Sequence, residues 1–176
     1  TPTVKLGYVR AVDDDWWLGS GIYPAEAGEA EEGVLSSYQP PASKEELMAF
    51  VEVAASYARV YGRDLATKDF MDLEGPFVRG DVYIFAADFN GTSLALPYLP
   101  SAVGTNRLDL QNSEGVYINR VMRSIAENGS GFFEYLWTNP ISGEMEPKTS
   151  YVTKVDDGWW LGAGIYLEGN ERAAEA

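Results

Sequence analysis

At 176 residues and 45% hydrophobic content, the chain suits one domain with a proper core. Thirteen Lys and Arg against 27 Asp and Glu leave a net charge of −14, which argues against a nucleic-acid partner and against docking on an anionic membrane, since both need a dense positive footprint. With no Cys and no His, disulfides, thiolate chemistry, the commonest general base and the usual transition-metal ligand are all removed; no metal or cofactor is expected.

In chain order, Lys5 to Tyr23 reads KLGYVRAVDDDWWLGSGIY, a β-hairpin with an acidic turn at Asp13-Asp14-Asp15. The stretch returns without a gap at Lys148 to Tyr166, KTSYVTKVDDGWWLGAGIY, turning at Asp156-Asp157-Gly158; the offset is 143, Tyr151 standing over Tyr8. That spacing suits a whole domain rather than a solenoid unit. Residues 1–23 therefore read as the closing hairpin of a preceding repeat, in a chain cut from a longer protein with tandem domains. Residues 24–42, rich in Ala, Glu, Gly, Ser and Pro, read as a linker, residues 43–168 as one complete domain and residues 169–176 as a tail.

Ser43-Lys44-Glu45-Glu46 is a capping box, the hydroxyl at the N-cap and a carboxylate three residues on. Leu47, Phe50, Val51, Ala54, Ala58, Tyr61 and Leu65 follow at three- and four-residue spacing, one face of a long amphipathic helix. Gly62 interrupts or caps it, and a shorter helical piece spans about Asp64 to Phe70. Beyond Glu74-Gly75-Pro76, Asp81 to Asp88 and Thr92 to Leu96 flank Asn90-Gly91, a strong hairpin signal. After a loop with Pro97, Pro100 and Gly104, Ser113 to Asn128 reads as a helix with Tyr117, Val121 and Ile125 on one face and Gly129 as its stop. Phe132 to Thr138 is an aromatic strand, Asn139-Pro140 to Gly143 turns the chain, and the repeated hairpin closes it. The order predicts an α+β fold, a five-stranded antiparallel sheet with helices packed on it.

Four stretches in this order resemble the Cache family, the extracytoplasmic PAS-like sensor domains of chemoreceptors and sensor kinases. They are Gly75 to Ala86 (GPFVRGDVYIFA), Gly104 to Asp109 (GTNRLD), Pro147 to Val152 (PKTSYV) and Trp159 to Tyr166 (WWLGAGIY). The resemblance runs over roughly Glu45 to Tyr166 and is to the single-Cache type, here in tandem. It implies a long N-terminal helix lying along a PAS-like sheet and a small-molecule pocket on the sheet's concave face. It further implies a sensor outside the membrane, in a secreted or membrane-anchored parent, for signal transduction or chemotaxis. The implied ligand is a small organic acid or amino acid. Where this group usually reads Leu-Ala-His-Pro, the chain reads Leu94-Ala95-Leu96-Pro97, so the histidine is replaced by Leu96.

Lys148 is the first candidate for ligand contact. It stands on a predicted central strand beside Tyr151, also a candidate, and recurs as Lys5. A cation facing an apolar pocket pairs with a ligand carboxylate, and burial strengthens the pair; the alternative is a strand-end lysine snorkelling to water. Tyr83, Phe85, Leu96, Tyr98, Phe133, Tyr135 and Trp137 are candidates to wall the pocket. Period two puts Tyr83 with Phe85, and Phe133 with Tyr135 and Trp137, on common faces, although ordinary core is the simpler reading of any one aromatic. Adjacent Trp159 and Trp160 point to opposite faces, one into core and one to the rim. Asn106 caps the pocket with its donors, while Arg107 reads as a solvated loop residue. Asp109-x-Gln111-x-Ser113-x-Gly115 lacks the terminal Glu of a calcium loop and reads as the lead-in to the next helix.

A secreted solute- or carbohydrate-binding module, using Trp and Tyr platforms without signalling, is the rival reading. An enzyme is disfavoured by the missing His and Cys and by the lack of a carboxylate pair outside a turn. Three places are open to residues 5–23: an exposed sheet edge, a second copy of the chain, or the slot of the 148–166 hairpin. Pairing with a second copy makes a homo-oligomer.

Overall fold

The computed structural model describes residues 6–11, 17–22 and 39–166, in two units, Thr1–Gln39 and Pro40–Ala176. In the first unit, β1 (Leu6–Ala11) and β2 (Trp17–Ile22) form an antiparallel ladder. Leu6 faces Ile22, Tyr8 faces Ser20 and Ala11 faces Trp17. The repeated hairpin in the second unit sets Thr149 against Ile165, Tyr151 against Ala163 and Lys154 against Trp160. The two copies thus share one register at every described pair of β1 and β2. Lys5, Tyr23, the turn at 13–15, most of the expected linker and the tail lie outside the described residues.

In the second unit, α1 (Lys44–Tyr61) starts where the capping box places it. The Glu46 N–H donates to Ser43 Oγ at 3.2 Å, and the Glu46 carboxylate accepts from the Ala42 N–H at 2.8 Å. Its buried face is Leu47, Phe50, Val51, Ala54, Ala55 and Ala58. Gly62, at φ 80, ends α1 and opens α2 (Arg63–Phe70). That break resets the helical phase, so Leu65, expected on the buried stripe, is 43% exposed, and Ala66 and Phe70 turn inward.

The sheet has the strand order β6-β5-β9-β8-β7, antiparallel throughout. Its members are β5 (Phe85–Asp88), β6 (Ser93–Ala95), β7 (Ser130–Thr138), β8 (Met145–Lys154) and β9 (Trp159–Tyr166). The strand expected over 81–88 is divided. β3 (Val78–Arg79) and β4 (Val82–Tyr83) make a small ladder of their own, and Ile84 gives its N–H to Phe77 O at 3.0 Å before the main sheet resumes at Phe85.

Helix α3 (Ile118–Glu127) starts five residues later than its period suggests. Asn112 Oδ1 accepts from the N–H groups of Glu114 and Val116, at 3.0 and 2.9 Å, and holds 113–117 in a turn. The buried face is Ile118, Met122 and Ala126 rather than Tyr117, Val121 and Ile125. This is one residue, or about 100°, of rotation. Ile125 is only partly buried against the core, and Tyr117 is exposed beneath the Arg120 guanidinium.

Both sheet faces are covered. On one, Leu47, Val51 and Ala54 of α1 and Phe70 of α2 meet Trp159, Leu161, Ala163 and Ile165 of β9. On the other, Ile118, Met122 and Ala126 of α3 meet Ala87, Tyr135, Val152 and Trp160. Period two sends Trp159 and Trp160 into opposite cores, and both are buried, at 2% and 1% exposed. The expectation that one would sit at the rim fails because α3 closes over the second face.

Candidate functional site

A small cleft, partly open to solvent, lies on the α3 face of the sheet. Phe85 and Ala87 of β5, Tyr135 and Trp137 of β7 and Tyr83 of β4 supply its floor and one wall. Ile118, Asn119 and Met122 of α3 stand opposite, and Arg107 and Leu110 of the preceding loop close one side. Gly91, Ser93, Ala95 and Leu96 of the β5–β6 hairpin complete it. Most of this lining is apolar, as small-molecule sites usually are. Among the described lining residues Arg107 alone carries a charge, and none is Asp or Glu.

The loop that carries Arg107 is fastened by its backbone. The Arg107 N–H donates to Gly91 O at 2.8 Å, and Arg107 O accepts from Asn119 Nδ2 at 2.8 Å. Asn106 Nδ2 donates to Asn90 O at 2.8 Å, and Asn106 Oδ1 accepts from the Leu108 N–H at 3.0 Å. Gly91 serves twice: its φ of 93 makes the turn, and a Cβ there would lie 2.6 Å from Leu108 Cβ, so only glycine lets the loop close this tightly.

Lys148 lies one layer behind the cleft wall, in the middle of the sheet. It pairs across strands with Tyr135 and Tyr166 and is 1% exposed. Its ammonium sits 4.4 Å from the ring centre of Tyr83 and 4.7 Å from that of Tyr166, a cation held against two aromatic faces. The stem crosses Gly164, where an added Cβ would come 2.5 Å from Lys148 Cε and strike Ser150 Oγ. Burial drops the Lys148 amine to about 7, with the negative charge of Asp81 pulling the other way. Burial also pushes the Tyr83 hydroxyl up to about 12, opposed by a hydrogen bond with Trp137. The Tyr135 hydroxyl, 3.1 Å from Ser150 Oγ, is likewise raised by burial, as is that of Tyr166, which donates to Thr138 O at 3.0 Å. These phenols are neutral donors at physiological pH.

Of the residues expected to touch ligand, the structure brings Tyr83, Phe85, Leu96, Tyr135 and Trp137 to the cleft wall. Phe133 stacks on Tyr135, ring centres 5.1 Å apart, and supports it from outside the lining. Tyr98 meets Tyr83 edge-on at 5.2 Å and donates its hydroxyl to Gly80 O at 2.6 Å. Asn106 staples its loop rather than facing the cavity. Tyr151 is placed on the opposite sheet face, its hydroxyl donating to Glu52 of α1 at 3.2 Å. It stands three positions along the strand from Lys148, and an odd step reverses the side. Arg107, expected in solvent, lines the cleft instead, as do Leu110, Ile118, Asn119 and Met122. The helix phase hid Ile118 and Met122. Nothing local marks Arg107, whose position depends on Gly91 and Asn119. Asp109 pairs with Arg120 at 2.5 Å, at the lead-in to α3. Among the described residues there is no cluster fit to hold a metal ion, and no helix long and apolar enough to cross a membrane.

Comparison with known proteins agrees on one family. The family model described as a Cache domain, dCache_2, matches residues 74–176. The sensor histidine kinase MctS of Rhizobium johnstonii is 32% identical over 89 residues, 50% of this chain and 19% of the relative. The methyl-accepting chemotaxis protein CtpM of Pseudomonas aeruginosa is 34% identical over 97 residues, 52% of this chain and 17% of the relative. The chain thus spans less than a fifth of the length of these curated relatives.

Among solved structures, a methyl-accepting chemotaxis protein from Vibrio parahaemolyticus superposes with a TM-score of 0.60 at 22% identity, covering 81% of this chain and 96% of that one. A Cache chemosensory domain described for its carboxylic acid recognition gives 0.54 at 23%, covering 82% and 95%. A periplasmic sensor domain of a chemotaxis protein gives 0.56 at 23%, covering 81% and 98%. At these identities the structures establish the fold, and the family model covers more than half the chain. The chain belongs to the Cache domain family, whose members are extracytoplasmic, non-catalytic ligand sensors.

Proposed function

We propose that this domain senses a small carboxylic acid, and that its parent is a membrane-anchored chemoreceptor or sensor kinase of the kind its relatives represent. One observation carries the reading. In a chain with twice as many acidic as basic residues, the described cleft lining holds Arg107 and no acid, and Lys148 stands directly behind Tyr83. A guanidinium fork fits a carboxylate bidentately, and a partly dry setting strengthens that bond. The tyrosine hydroxyls add neutral donors, while Phe85, Trp137 and Met122 offer an apolar bed for a short carbon chain.

An amino acid fits less well than a simple organic acid, because its ammonium meets no carboxylate in the lining. That a fold neighbour is described for carboxylic acid recognition supports the ligand class. Signalling on this reading is a population shift. Ligand selects one arrangement of β7–β9, and the alternate residues of β8 and β9 pass that preference to α1.

The test is a thermal-shift and titration screen of the whole chain against monocarboxylates, dicarboxylates, amino acids and sugars. At ~100 times its dissociation constant a true ligand stabilises the fold by about 2.7 kcal/mol. Monocarboxylates are expected to raise the melting temperature, and Arg107→Gln to weaken them by roughly tenfold or more, the scale of a hydrogen bond to a charged group. A response confined to sugars would instead establish the binding-module reading.

A further inference from the structure

Among the buried residues of the described chain, Lys148 is the one with an ionisable amine or acid. The groups around it can be taken element by element. Strand β4 contributes Tyr83, β7 contributes Tyr135 and β9 contributes Tyr166, all phenols whose burial holds them protonated. On β8 itself Ser150 follows on the same face. The nearest acid by its effect is Asp81, just before β4, whose carboxylate takes a hydrogen bond from Asn139 Nδ2 at 3.0 Å. Glu146 shares that amide at 3.2 Å. Across the cleft wall stands Arg107, whose charge also reaches Tyr83. Helices α1 and α2 pack on the other sheet face. No carboxylate among the described residues comes within 4 Å of the Lys148 ammonium.

Among the described residues the Lys148 amine thus has no carboxylate partner within 4 Å, and it rests on the ring of Tyr83, which lines a cavity suited to an anion. We propose, on the reading that the cleft takes a carboxylate, that capture of the anion loads one proton from solvent onto Lys148, so that the domain answers to acid and anion together. The step balances simply: carboxylate, neutral amine and one proton become a carboxylate beside an ammonium, with an N–H bond formed and nothing broken in the ligand.

Two considerations make Lys148 the proton acceptor. Arg107 is always charged and has no proton to gain, and the three phenols are already protonated. Burial has brought the Lys148 amine to about 7, so near neutral pH both its forms are populated. An anion next to Tyr83 favours the ammonium through a medium of low dielectric constant. By linkage, the proton must then favour the anion to the same degree. As the amine loses its proton above neutrality, affinity declines by up to about tenfold per pH unit until the coupling is used up, and below neutrality it is level until the ligand itself is protonated.

Calorimetric titration of the whole chain with propionate, from pH 5.5 to 9 in phosphate and in Tris, tests this. These buffers have very different ionisation heats, so the difference between them counts protons. Net uptake is expected to approach one proton per propionate near pH 8, to vanish by about pH 5.5, and to disappear in Lys148→Met along with the pH dependence of affinity. A second measurement needs no variant: the Lys148 Cε resonance in the wild-type chain should titrate at higher pH with propionate than without. Propionate binding with no proton uptake and an unmoved Lys148 resonance would overturn the coupling while leaving the carboxylate reading intact. If neither propionate nor any other acid of the screen binds, both fall together.

Discussion

An amine that loses its hydration on folding and gains in return only aromatic faces and the charge of an acid beyond ion-pair distance lowers the stability of the native state, and Lys148, with Asp81, is in that position. Its ordinary value of 10.5 falls to about 7 in the fold. Between those two values the unfolded chain binds a proton that the native chain does not. Stability from this residue therefore rises with pH from about 7 to 10.5 and is lowest, and level, below 7. Lys148→Met, which keeps the length of the stem over Gly164 and discards the charge, should stabilise the unliganded chain below neutral pH by about 1–4 kcal/mol. It should also flatten the rise. Urea unfolding at pH 6, 8 and 9.5 measures both, and a wild-type midpoint that does not move over this range would contradict the cause assigned to the shift. A residue that costs stability at the place where a ligand is expected fits the common trade between function and stability.

At the scale of elements, α1 is tied to the sheet at three heights. Lys44 reaches Glu134 of β7 at 3.5 Å, Glu52 accepts from Tyr151 of β8, and Arg59 donates to Lys154 O and Val155 O at the β8–β9 turn, at 2.7 and 3.1 Å. The exposed outer pair is worth little, whereas Arg59 satisfies two carbonyls at a strand end. Arg59→Ala should lower stability by about 1–3 kcal/mol, read from urea unfolding, and an unchanged midpoint would show that water replaces both bonds freely. Much of this architecture was legible beforehand. The Ser43 box, the α1 stripe, the Asn90-Gly91 hairpin and the shared side of Phe133, Tyr135 and Trp137 all follow from local pattern. The start of α3 did not, because a single Asn112 side chain unwinds residues that have a helical period. Nor did the place of Arg107, which is set by partners 16 and 12 residues away. The side taken by Tyr151 was available from its odd distance to Lys148.

For the molecule as a whole, the net charge of −14 and the cationic character of the cleft oppose each other at different distances. Far from the surface an anion meets a repulsive field, and only within the cleft does the sign reverse. Salt shortens the Debye length from ~30 Å at 0.01 M to ~8 Å at 0.15 M, which removes the distant repulsion while leaving buried contacts nearly intact. The association rate of a carboxylate, followed by stopped-flow tryptophan emission, should therefore rise over that range, and more steeply for a dicarboxylate. A falling rate would mean that the cleft's own field reaches into solvent. Finally, the sheet divides its work by parity. On β8 and β9 the even positions 148, 150, 152, 160, 162, 164 and 166 belong to the side with the cleft, and the odd positions 149, 151, 153, 159, 161, 163 and 165 to the side under α1. Alternate codons of one short gene segment thus encode two different cores, one under α3 and one under α1. The cleft wall itself comes from other elements, so substitution at Phe85, Tyr135 or Met122 reshapes the cavity while the core under α1 keeps its residues.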